Sequence, residues 1–214
     1  SKIKQERWER NNPNFSLSDL IDGKESNPIY TRRYSLIEDL MSSDYNIDSW
    51  SSSRLLFYKS VMTGNELVEL PIILKSVLAS KYFDLAGEVA RHYSMTKGVS
   101  SDKKRTALIL SLELLKGNNK IQIGGLEDSF EEYSSHKIFE SLEDIVKSQT
   151  LSNDKARNFN MLLSRLREYF FHDQKDFSST IKICELTQPL STKLHDQIGV
   201  ELSYSFKGAS LYHL

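Results

Sequence analysis

Residues 154–172 read DKARNFNMLLSRLREYFFH. Apolar side chains recur at Phe159, Leu163, Leu166 and Phe170, at spacings of four, three and four. That is the period of one buried face of an α-helix, not of a strand. A helix of this length with a single apolar stripe needs other helices to cover it, and the flanking sequence supplies candidates on both sides.

Towards the N-terminus, residues from about Glu127 to Gln149 predict one helix, and Asp102 to Lys116 predict another. The second has Ser101 or Asp102 as its cap and is stopped by Gly117, Asn118 and Asn119. Ala79 to Tyr93 carries Ala79, Phe83, Ala86 and Ala90 on one face, where small residues let a neighbouring helix approach closely. Further helices are expected over Asn65–Ser80, broken or kinked near Pro71, and over Asp48–Met62, ended by Gly64. Tyr30, Tyr34, Ile37 and Leu40 or Met41 continue the helical spacing behind Pro28, and a short turn ends at Gly23. Residues 1–14 form a polar arm with Arg7 and Arg10 around Trp8. Ile121 and Ile123 alternate ahead of Gly124 and Gly125, as in an extended link.

Towards the C-terminus a helix is expected over Asp176–Leu186, then a turn at Gln188 and Pro189 and a short helix over Leu190–Ile198. Val200, Leu202, Tyr204 and Phe206 then alternate with polar residues, Gly208 allows a turn, and Ala209–His213 returns. Strict period two predicts a β-hairpin here. The expected architecture is therefore mostly α. Stacked antiparallel helices, as a bundle or a short helical-repeat array, end in a small C-terminal β-hairpin with a winged-helix-like order. By region it comprises a polar arm (1–14), a helical body (15–175) and a helix-turn-helix plus hairpin packed on the body (176–214).

Composition narrows the function classes. The 214 residues include 28 Lys and Arg against 29 Asp and Glu, a net charge of −1, so no overall basic character points to nucleic acid. Four prolines and nine glycines are too few for an all-β chain with a turn every ten residues or so. The single cysteine, Cys184, excludes an internal disulfide and a paired-cysteine zinc site, and suits a reducing, intracellular setting, cytoplasmic or nuclear. No apolar run approaches the roughly 18–20 residues that span a bilayer. His92, His136, His195 and His213 show no metal-ligand spacing, and no nucleotide-binding glycine motif is present. No metal or cofactor is expected.

Two groups of residues carry chemistry. At about 100° per residue, Asn158, Arg165 and His172 fall within roughly 40° of one another on one flank of the 154–172 helix, while Arg167 falls on the opposite flank. A histidine can act as acid or base and an arginine can stabilise phosphate charge. The Arg–His spacing resembles the active-site motif of HEPN domains, helical bundles that often act as metal-independent RNases. The resemblance covers this helix alone. It implies an endoribonuclease in which Arg165 and His172 of two protomers meet across a dimer cleft. The second group is Lys97, Lys103, Lys104 and Arg105 around the start of the Asp102 helix, which suits an anion or nucleic acid.

The stacked helices followed by the expected tail also look like the layout of PCI domains, which are assembly modules, and such a tail offers Lys193, His195 and Lys207 to RNA or DNA. No catalytic constellation is complete. The leading expectation is a non-catalytic helical interaction module, a subunit of a larger protein or ribonucleoprotein assembly. Its partners would be other protein subunits, with RNA or DNA and a second copy of the chain as alternatives and no membrane. The acidic Glu127–Asp144 region and the basic Lys147–Arg167 region offer two signed faces for such contacts.

Overall fold

The computed structural model describes residues 48–118, 135–147 and 152–214, and among these every regular element is helical. The helices, numbered in chain order, are α1 (Ser49–Thr63), α2 (Glu66–Ala79), α3 (Phe83–Tyr93), α4 (Ser101–Leu115), α5 (Ser135–Lys147), α6 (Asn153–Glu168), α7 (Phe177–Lys193) and α8 (Gln197–His213). A π-helical turn, Tyr169–Asp173, continues α6. The chain divides into two units, Ser1–Val77 and Leu78–Leu214. The expectations for the arm, for the helices before residue 48 and for the Ile121–Gly125 link lie outside the described residues.

In the first unit, Asp48 caps α1 by accepting from the Ser51 amide at 2.9 Å, and that bond with the Ser51 hydroxyl holds its carboxyl below the usual range. Gly64 ends the helix at φ 72°, the left-handed conformation that glycine adopts without strain. Pro71 stands inside α2, which runs on past it.

In the second unit, α3 packs on α4, α6 on both α4 and α7, and α7 on α8. The stripe read from residues 154–172 is the centre of this core, with Phe159, Leu163, Leu166 and Phe170 all buried. The expected continuous helix from Ala79 is interrupted, since Lys81 takes φ 60° and α3 starts afresh at Phe83. Its small residues still serve close approach: Ala86, Gly87 and Ala90 are buried, and a Cβ on Gly87 would lie 3.8 Å from the Ser111 hydroxyl of α4.

The C-terminal segment corrects the sequence reading. No strand occurs among the described residues, and the predicted hairpin is the single helix α8. The buried face of α8 is Gly199, Ser203 and Ser210, at helical spacing. Periodicity arguments assume that buried positions are large and apolar, and the positions this helix buries are one glycine and two serines. Leu202 and Tyr204, the supposed inner face of a strand, are exposed. The winged-helix-like order goes with the hairpin. Lys207, the supposed wing cation, pairs with Glu185 of α7 at 2.8 Å. The turn expected at Gln188 and Pro189 is also absent, because α7 passes through Pro189 and ends at Lys193. The true turn is Leu194–Asp196, with His195 at φ 56° and the Asp196 carboxylate accepting from the Gly199 amide at 3.0 Å to cap α8.

Candidate functional site

The amino-terminal end of α6 is capped by Ser152, whose hydroxyl accepts from the Lys155 amide. Its carboxy-terminal end widens into the π turn, where the Gln174 amide reaches back five residues to the Tyr169 carbonyl. Single π turns within helices are frequent at functional sites because they re-aim the side chains that follow. Here the turn carries His172 and Asp173 to a small cleft of about 120 Å³. Arg165, Glu168, Tyr169, His172 and Asp173 line it from α6 and the π turn, Lys104 and Leu108 line it from α4, and Ser94 and Met95 from the turn after α3.

The cleft joins the two groups that the sequence kept apart. Lys104 shares it with Arg165 and His172, whereas Lys97 and Lys103 are exposed elsewhere and Arg105 does not line it. Each cation has a carboxylate beside it: Lys104 Nζ lies 2.7 Å from Asp173 Oδ1, and Arg165 Nη1 lies 3.6 Å from Glu168 Oε1. Gln174 donates to the Ser101 hydroxyl at 3.0 Å, tying the first turn of α4 to the residues after the π turn. Burial pushes the Tyr169 phenol up from its usual range, with a bond to Ser101 opposing.

Asn158, on the same flank as Arg165, is occupied structurally. Its carbonyl oxygen accepts from Arg91 Nη2 at 2.8 Å, and Arg91 Nη1 donates to the Ser111 hydroxyl at 3.0 Å. Burial lowers Arg91 to about 10, with Glu88 opposing and Arg165 adding to the shift. Arg167 faces the other way. It is fully buried, donates from Nη1 to Ser203 Oγ at 3.0 Å and stands 4.8 Å from the centroid of the Phe206 ring. Its Nε and Nη2 have no hydrogen-bond partner.

No family model, curated protein or solved structure matches the chain. The site therefore stands on its own geometry. Among the described residues no cluster of three or more His, Cys, Asp or Glu side chains is arranged to hold a metal ion, and no helix is long and apolar enough to cross a membrane.

Three features of the site escaped the sequence reading. Glu168 and Asp173 had a signal, since they neighbour the motif residues and carry the opposite charge. The burial of Arg91 and of Arg167, neither of which lines the cleft, had none, because an arginine in a helix is read as solvated by default. The convergence of Lys104 with His172 had none either, because it depends on how α4 packs against α6. As it stands the cleft holds two cations, two carboxylates, an imidazole and a phenol, a set able to exchange its internal ion pairs for an incoming anion.

Proposed function

We propose that this chain is a non-catalytic helical interaction module that works as a subunit of a larger protein or ribonucleoprotein assembly. The observation that carries this reading is the inverted surface of α8. That helix turns glycine and serine inward and leaves Ile198, Tyr204, Leu211 and Tyr212 at 71%, 64%, 59% and 88% exposure. Scattered exposed apolar residues are ordinary, but several on one terminal helix mark a surface that a partner covers. These side chains share the exposed part of α8 with Gln197, Glu201 and Ser205, and the partner suited to such a face is another protein subunit with an apolar patch of its own.

The test places a photo-crosslinking amino acid at Ile198 or Leu202 in the protein expressed in its native cell, with Lys175 as an exposed polar control. One defined protein crosslinked from α8 and not from Lys175, and lost on Leu211→Asp, is the expected result. Purified protein that cleaves RNA, with the activity abolished by His172→Ala, would sink the proposal.

That same outcome would favour the alternative, a HEPN-like endoribonuclease, whose supporting observation is that Arg165 and His172 line one cleft. The alternative further requires a symmetric dimer that brings two such clefts together, which sedimentation at micromolar concentration would detect.

A further inference from the structure

His172 belongs to two surfaces at once. On one side it lines the cleft with Lys104 and Arg165. On the other it begins a run of ring contacts: to Phe171 at 4.9 Å, from Phe171 to Phe177 at 5.5 Å, and from Phe177 to His213 at 4.7 Å with an interplanar angle of 16°. His213 is exposed at the end of this run. A small cleft of paired charges, two cations and two carboxylates, thus continues into an aromatic strip that ends at an exposed imidazole.

The cleft is too small for a drug-sized ligand, whose pockets run to about 300–1,000 Å³. At about 120 Å³ it suits one compact anionic group. The two cations reach it from different helices, and their present partners are exchangeable. Lys104 and Asp173 retain about a quarter of their side-chain exposure, and Arg165 and Glu168 about a third and a quarter. Ion pairs with that access to water hold weakly. A phosphate oxygen in the place of the Asp173 carboxylate keeps the Lys104 charge paired. The first turn of α4, which holds Lys104, adds its helix-terminal partial positive charge.

We infer that this cleft and strip bind single-stranded nucleic acid, one phosphate lying among Lys104, Arg165 and His172 and a neighbouring base stacking on the exposed His213 face. Cations that take the backbone beside rings that take the bases are the general design of single-strand binding, and here Lys104 and Arg165 become available when they exchange Asp173 and Glu168 for phosphate. The aromatic strip favours it over a phosphopeptide, which has no base to stack, and over a duplex, whose bases are already stacked. The assembly reading rests on Ile198, Tyr204, Leu211 and Tyr212 of α8, and the phosphate part of this inference rests on Lys104, Arg165 and His172, which lie outside that helix.

The test is fluorescence anisotropy of the full chain with a labelled oligouridylate of twelve nucleotides, titrated at several salt concentrations. Lys104→Gln and Arg165→Gln are each expected to weaken binding at least fivefold and to reduce the log–log salt slope by about 0.7. His213→Ala is expected to weaken binding at least fivefold with the slope unchanged. Asp173→Asn, which removes the competing carboxylate, is expected to tighten binding several-fold. Tightening cannot arise from a misfolded variant, and unfolding midpoints measured for the other three separate lost contacts from lost fold. Binding that ignores Lys104→Gln and Arg165→Gln overturns the inference, as does weakening by Asp173→Asn. Equal affinity for a duplex of the same length, or for a phosphoserine peptide, overturns the single-strand assignment. Absence of binding at low salt overturns it outright.

Discussion

Arg167 shows how a single residue departs from the expected energetics. Among the described residues it forms no salt bridge, and Ser203, the Phe206 ring and the more distant Glu168 and Asp196 charges are what stabilise it. A buried charge without an ion partner is destabilising, and apolar replacements of similar volume are often neutral or better. Arg167→Met is therefore expected to leave stability unchanged or to raise it by about 1–3 kcal/mol. Ser203→Ala, which strands the guanidinium, should destabilise by about 1–3 kcal/mol, and that loss should shrink in the Arg167→Met background. Urea unfolding of the double-mutant cycle measures both.

Cys184, buried nearby, gives a pH prediction. Burial pushes its thiol up from 9.0 to about 11, with Arg167 and Lys207 opposing. Between those values the unfolded chain loses the proton while the folded chain keeps it, so unfolding is favoured as pH rises. Stability relative to Cys184→Ala should fall between pH 9 and pH 11, by at most about 3 kcal/mol. Chemical unfolding of both proteins across that window checks it, and a flat difference would contradict the assigned cause.

At the scale of elements, two glycines of α8 should respond oppositely to alanine. A Cβ on Gly199 would meet the Asp196 carboxylate that caps the helix and come within 2.6 Å of Ser191 Oγ on α7. Gly199→Ala is expected to destabilise by about 1–3 kcal/mol through forced displacement. Gly208 is exposed, with nothing within 4 Å of its virtual Cβ, so Gly208→Ala should stabilise by about 0.5–1 kcal/mol through helix propensity. A hairpin with its turn at Gly208 would show the reverse, so thermal melts of the two variants decide between helix and strand.

The same pair explains what the sequence could reveal. The α6 stripe was legible because Phe159, Leu163, Leu166 and Phe170 combine helical spacing with apolar bulk. In α8 spacing and bulk disagree: Gly199, Ser203 and Ser210 carry the burial, and Val200, Leu202, Tyr204 and Phe206 carry an alternation that mimics a strand. Gln188 and Pro189 predict a turn from residue type alone, and α7 continues through them. Helical angles alone put Arg165 and His172 on one flank. That Lys104 joins them depends on packing between α4 and α6, which local periodicity does not encode.

At the scale of the whole molecule, the Leu78–Leu214 unit contains two kinds of helix contact. Around α3, α4 and α6 the buried faces are made of large side chains such as Leu85, Val89, Leu108, Leu112, Phe159 and Leu162. On α7 and α8, which pack on each other, small residues dominate the burial: Ser179, Thr180, Cys184, Thr187 and Ser191 beside Ile183 on α7, and Gly199, Ser203 and Ser210 on α8. Burying a large aliphatic or aromatic side chain stabilises by about 1.5–3 kcal/mol, and a serine or glycine contributes far less. Ser210 Oγ of α8, and two nitrogens of Arg167 on α6, whose Nη1 bonds Ser203 of α8, lack hydrogen bonds, and these groups regain water when α8 separates. Opening of α8 should therefore need less free energy than unfolding of the α3–α4–α6 core. Native-state hydrogen exchange tests this directly. Amides in the middle of α8, from Leu202 to Phe206, should exchange through a local opening that depends weakly on denaturant, while those from Leu162 to Leu166 should exchange only on global unfolding. Equal protection and equal denaturant dependence at both places would show that the small-residue seam is as strong as the apolar core. A partner that covers α8 should slow exchange in α8 selectively, which links this local stability to the proposed assembly role.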